Sequence, residues 1–163
     1  MLQRVQTIYL LAAFSLCLGC LCLPIAHFMV GDSQASIMDS FFDSYSQVNM
    51  YNLWLVSEGK HVFYFCPVLM GLLVITTGLA FIDIWLFKHR ALQMRVATFC
   101  MILLVFWYIA YGIICLYLLD STSNLYRPHW AAALPAAALI LLYLAFRGIL
   151  KDEMLVRSLD RLR

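Results

Sequence analysis

The sequence predicts an all-α membrane protein: an antiparallel four-transmembrane-helix bundle with a small outer loop cap. Three observations carry that expectation. Of 163 residues, 64% are hydrophobic and 12% charged, where soluble domains carry about 45–50% and about 25%; mean hydropathy is +0.87. Four runs carry no formal charge, Val5–Gly31, His61–Ile82, Val96–Leu119 and Pro128–Phe146, and a helix needs about 20 mostly apolar residues to cross the hydrocarbon core. Nine of the 11 Lys and Arg residues fall on one side of that layout, which the positive-inside rule makes cytoplasmic. Both termini are expected on that side.

The first helix is expected over about 6–28. Arg4 followed by apolar sequence is similar to a signal peptide. Cys17-Leu18-Gly19-Cys20 is similar to a lipoprotein cleavage box. Cys17 stands where that box has Leu, however, and Leu21-Cys22-Leu23 stays apolar where a mature lipoprotein turns polar. An uncleaved helix follows from this.

Residues 30–60 form the outer loop. They carry Asp32, Asp39, Asp43 and Glu58 together with Phe41, Tyr45, Tyr51 and Trp54, aromatics of the kind that lie at membrane interfaces. The alternation in Gln47-Val48-Asn49-Met50 suggests one short strand.

The second helix is expected over about 61–87 and the third over about 92–119. The basic stretch Lys88-His89-Arg90-Ala91-Leu92-Gln93-Met94-Arg95 turns the chain between them. A loop this short forces an antiparallel hairpin. Asp120-Ser121-Thr122-Ser123-Asn124 reads as a polar turn, and the fourth helix follows over about 128–150, with Pro128 suited to its first turn. Pro24, Pro67 and Pro135 all fall in the outer thirds of these helices. Kinks are expected there, splaying the outer half around a cavity near His27 and Cys66.

The tail, residues 151–163, should continue the fourth helix as an amphipathic segment. Leu155, Leu159 and Leu162 share one stripe. Arg157 and Arg161 lie off it, and Glu153 can pair with Arg157 at i, i+4. A solvated helix has no use for a leucine stripe. Asp152, Glu153 and Asp160 would be repelled by anionic lipid. Leu155, Arg157, Leu159, Arg161 and Leu162 are therefore the expected contacts to a protein partner.

Three stretches resemble a small bacterial four-helix inner-membrane family of unknown function: Met1-Leu2-Gln3-Arg4-Val5-Gln6-Thr7-Ile8-Tyr9-Leu10-Leu11, the stretch Phe87 to Arg95, and Lys151 to Arg163. The resemblance implies four helices and a bacterial inner membrane. It brings no activity, substrate or catalytic residue.

Each candidate for chemistry has a packing explanation beside it. Cys17 and Cys20 share a helix face at i, i+3, and a Cys-x-x-Cys pair in a four-helix bundle resembles membrane thiol oxidoreductases that use quinone. Such chemistry needs an exposed low-pKa thiolate and a second thiol pair, whereas cysteine also fills cores as a small apolar residue. All six cysteines lie in apolar runs, so a secreted-type disulfide framework is not indicated.

His27, His61 and His129 fall at outer helix ends, where converging imidazoles bind metal or haem and isolated ones simply sit half-wet. Asp83 is an intramembrane acid, a functional candidate by default, and the expected reading is a structural ion pair with Arg4 and Arg147 at the same depth. Ala131, Ala132, Ala133, Ala136, Ala137 and Ala138, with Gly71 and Gly78, are small residues that let helices approach in lipid. The sequence carries no phosphate loop and no nucleophile–base pair.

The function this favours is a non-enzymatic integral inner-membrane protein, an accessory subunit or scaffold of a larger membrane complex. The alternative is a membrane thiol/quinone redox protein using Cys17 and Cys20. A small transporter or lipid-binding protein comes third. The expected partners are the lipid bilayer and another membrane protein, with no nucleic acid, no cofactor and no metal.

Overall fold

Four helices, α1 (Leu2–Cys22), α2 (Pro67–Trp85), α3 (Arg90–Ser121) and α4 (Leu134–Asp160), are interleaved with four short strands. The strands are β1 (Ala26–Gly31), β2 (Tyr45–Met50), β3 (Leu55–Ser57) and β4 (Leu125–Pro128). The computed structural model describes residues 2–31, 45–52, 55–57, 67–86, 90–121 and 125–160.

A seam of buried positions on every helix recurs at alternating steps of four and three, with Thr77 on α2 and Tyr111 and Cys115 on α3 buried besides. On α1 they are Gln6, Leu10, Ala13, Cys17 and Cys20; on α2, Leu69, Leu73, Thr76, Ala80 and Asp83. On α3 they are Gln93, Ala97, Cys100, Leu104 and Trp107. From Ala131, in the turn ahead of α4, the seam runs through Pro135, Ala138, Leu142, Ala145 and Ile149 on α4 to the half-buried Asp152. A 3.5-residue repeat keeps one seam of each helix facing its neighbours at shallow crossing angles. The helices close a ring in chain order, α1 against α2 and α4, and α3 against α2 and α4.

The seam stacks in layers. Cys100 Sγ lies 4.0 Å from the Thr76 carbonyl oxygen, locking α3 to α2 in one of them. Thr76 and Thr77 donate their hydroxyls to Leu72 and Leu73 at 2.7 Å, which satisfies them inside an apolar interior. The outward faces are apolar as well: Ile8, Val74, Trp85, Phe106, Ile113 and Ile140 are all exposed. In water such a surface would drive aggregation; against lipid it is the expected one. Three helices are long and apolar enough to cross a membrane, over Pro67–Trp85, Ala91–Tyr117 and Trp130–Leu155, and Gln6–Cys22 is a shorter apolar helix.

At one end of the bundle lie the start of α1 and the end of α4. At the other stands an antiparallel sheet of order β3-β2-β1-β4. Ala26 pairs with Met50 on one side and Pro128 on the other, and His27 with Asn49 and Arg127. The ladder runs into the bundle through Ile25, whose N–H donates to Met50 at 2.7 Å and whose carbonyl accepts from His129 at 3.1 Å. At 32 residues, α3 is about 48 Å long and overshoots the other helices beside this sheet.

These boundaries correct several expectations. The first helix ends at Cys22, not near 28, because Pro24 removes a backbone donor and disfavours helix in Leu23. The next residues form β1, so the cap holds a sheet instead of one short strand. The second helix begins at Pro67 among the described residues; 61–66 lie outside them. Pro128 closes β4 and does not open the fourth helix, which starts with a 3₁₀ turn, Trp130–Ala133, and becomes α-helical at Leu134. Pro24 and Pro135 therefore sit at helix ends, and Pro67 opens the described part of α2. At the sheet end, Ile25, Met50, Asn52 and Trp107 are fully buried; Cys66, expected beside a cavity near His27, lies outside the described residues. Among the small residues, Ala131 and Ala138 are at the packed seam. Gly71 and Gly78 face open space and bring no helices together.

Candidate functional site

The seam position nearest the terminal end among the described side chains is polar on every helix: Gln6 on α1, Asp83 on α2, Gln93 on α3 and Asp152 on α4. Each is placed there by the repeat that places the apolar residues above it. Gln6 Nε2 donates to Asp152 Oδ2 at 2.8 Å. Gln93 Nε2 reaches the backbone carbonyl of Asp83 at 3.4 Å, a carbonyl near the end of α2. Gly148 makes room for Gln6, since a Cβ there would lie 3.1 Å from Gln6 Cγ.

Asp83 is the exception in this layer. It is fully buried, and among the described residues neither carboxylate oxygen has a hydrogen-bond partner. Of the ion pair expected with Arg4 and Arg147, only the Arg147 half can be placed. Arg147 is exposed, off the seam, and the Arg4 side chain is outside what is described. A buried polar group without a partner is rare and costly. Sequence reasoning singled out Asp83 and missed Gln6, Gln93 and Asp152. The 4,3 spacing of Leu10, Ala13, Cys17 and Cys20, run back one step, reaches Gln6, and Ala97 and Cys100 lead back to Gln93 in the same way.

Cys17 and Cys20 are both free and buried on the α1 seam. Thiol exchange requires an accessible sulfur, and these two face the interior, with Cys20 beside Asn52. At the sheet end, Asn52 enters the bundle. Its Nδ2 donates to the Cys20 carbonyl at 2.6 Å, and its Oδ1 accepts from Trp107 Nε1 at 3.3 Å. It thereby ties the cap to α1 and α3. Tyr111 stacks on Trp107 at 5.3 Å and donates to the Ile25 carbonyl at 3.3 Å.

His27 and His129 converge, with ring centroids 5.0 Å apart and planes at 75°. His61 lies outside the described residues. His27 Nδ1 bonds to Asn49 Oδ1. His129 Nδ1 accepts from the Ala131 N–H at 3.3 Å, capping the 3₁₀ turn. A backbone N–H only donates, so neutral His129 carries its proton on Nε2 and presents no lone pair there to a metal. Among the described residues no group of three or more His, Cys, Asp or Glu side chains is placed to hold a metal ion.

Beyond Asp152, α4 runs on to Asp160 as one unbroken helix. Met154 and Leu155 are exposed. Arg157 and Leu159 lie on this helix by backbone, and Arg161 and Leu162 fall outside the described residues.

Four helices, three of them able to cross a membrane, closed by a polar layer at one end and a small sheet at the other, define a helical bundle of membrane-compatible type. The chain belongs to the family described as domain of unknown function DUF4293, which matches residues 2–162. No curated protein matches it.

Proposed function

We propose that the protein is a non-enzymatic integral inner-membrane protein that serves as an accessory subunit of a larger membrane complex. In this reading both termini are cytoplasmic, the sheet faces outward, and α1 spans the membrane with the other three helices. The observation that carries it is the length of α4. Its seam meets α1 at the Gln6–Asp152 bond, and the helix then continues to Asp160 with Met154 and Leu155 exposed. By register the seam reaches Val156 level with Leu2, where α1 starts, and Leu159 one step beyond it. A helix that carries its apolar stripe beyond the start of the helix it packs on is suited to a second protein.

The bonds of Gln6, Gln93 and Asn52 support the same reading, since they join helix to helix or cap to bundle. Replacing Leu155, Leu159 and Leu162 together with Ser tests it. The expected result is loss of a stoichiometric partner on purification from native membranes, with the bundle still inserted. Unchanged co-purification overturns the proposal. Reporter fusions to the C-terminus and to the outer loop test the orientation separately: a C-terminal fusion that reports from outside the cytoplasm reverses it.

A further inference from the structure

Between α3 and α4, near the terminal end, runs an open groove of about 540 Å³, within the range of ligand sites. Thr98, Ile102 and Arg95 line it from α3, and Phe146, Leu150 and Glu153 from α4. Most of the lining is apolar, and the end nearest the start of α3 and the end of α4 carries one charge of each sign. Arg95 is exposed and Glu153 half-buried. They lie at the level of the Gln93–Asp152 layer, where the apolar length of the bundle ends and headgroups begin if it spans a bilayer.

We propose that this groove binds one phosphatidylethanolamine-type lipid, a zwitterionic phospholipid with a primary ammonium. One acyl chain lies between Ile102 and Phe146. The phosphate meets the Arg95 guanidinium, which is suited to it by its fork of donors. The ammonium meets Glu153, whose carboxylate accepts several hydrogen bonds at once. The two charges discriminate against other headgroups. A net anionic lipid satisfies Arg95 but is repelled by Glu153. A choline lipid carries a methylated nitrogen with no N–H to donate. The site is separate from the tail stripe, because Leu150 and Leu155 point about 140° apart around α4, so its failure would leave the accessory-subunit proposal standing.

The test is native mass spectrometry of the full chain released from vesicles holding equal parts of ethanolamine, choline and glycerol phospholipids. The expected result is one retained lipid per chain, with ethanolamine over choline by about five-fold. Glu153→Gln should bring ethanolamine and choline to parity while a lipid is still retained. Arg95→Gln should lower retention of all three lipids. Ile102→Trp should fill the groove and lower retention regardless of headgroup. Equal retention of the three lipids by the unaltered protein overturns the proposal, and this result needs no variant to fold. So does a glycerol lipid retained in preference, an ethanolamine preference that survives Glu153→Gln, or a second copy of the chain in place of the lipid.

Discussion

The Gln6 amide donates to the Asp152 carboxylate at 2.8 Å, joining residues 146 positions apart in the chain. This bond pins the start of α1 to α4 next to Gly148, whose missing Cβ is what lets Gln6 lie there. Gly148→Ala should therefore destabilise the protein by about 1–2 kcal/mol, as overpacking does, although Ala is the better helix former by about 1 kcal/mol. In a Gln6→Ala background the clash is gone, and the same substitution should become neutral or stabilising. Denaturant unfolding in detergent of both singles and the double reads the sign change. If Gly148→Ala has the same effect in both backgrounds, Gln6 does not occupy the position described.

Asn52 holds the cap with both halves of its amide, one on the Cys20 carbonyl and one on Trp107 Nε1. Asn52→Leu leaves both groups buried without that partner. Each such loss costs about 1–3 kcal/mol, so the substitution should be among the most damaging at the sheet end. Trp107→Phe removes one of the two bonds and should cost less than Asn52→Leu if the hydrogen bonds dominate. Thermal unfolding of the two variants gives the order. A neutral Asn52→Leu would mean that the cap is not fastened at this point.

The helices were legible in the sequence because an uncharged run of spanning length is a strong signal. What was hidden is instructive at Ala26–Gly31. By apolar content alone it extends the first helix, and only Pro24 marks the break between them. Its strand character comes from pairing with β2 and β4, which lie far along the chain. The polar layer was half legible. Asp83 stands out in an apolar run, whereas Gln6, Gln93 and Asp152 lie close to charged ends and read as solvent-facing. The 4,3 repeat shows them to be inward. That Arg147 does not turn toward Asp83 was not legible, since it depends on helix rotation, and the seam turns Arg147 outward.

Asp83 gives the last expectation. Its two oxygens are buried without a hydrogen-bond partner among the described residues, while its backbone carbonyl is held by Gln93. Replacing it with Leu keeps the branched shape on the seam below Ala80, in a larger volume, and removes the unsatisfied group. Exchanging a poorly satisfied buried polar residue for an apolar one is often stabilising, by about 1–4 kcal/mol. Asp83→Leu should therefore raise the unfolding midpoint of the purified chain. Asp83→Asn should gain less, because an amide carries the same unmet demand in another form. The comparison also reads function, for a residue that lowers stability and is nonetheless present is of the kind retained for a role. If Asp83→Leu stabilises the isolated chain yet weakens the complex purified from native membranes, the carboxyl acts on a partner. If it destabilises the isolated chain, Asp83 is bonded within the bundle, and the orphaned geometry is wrong.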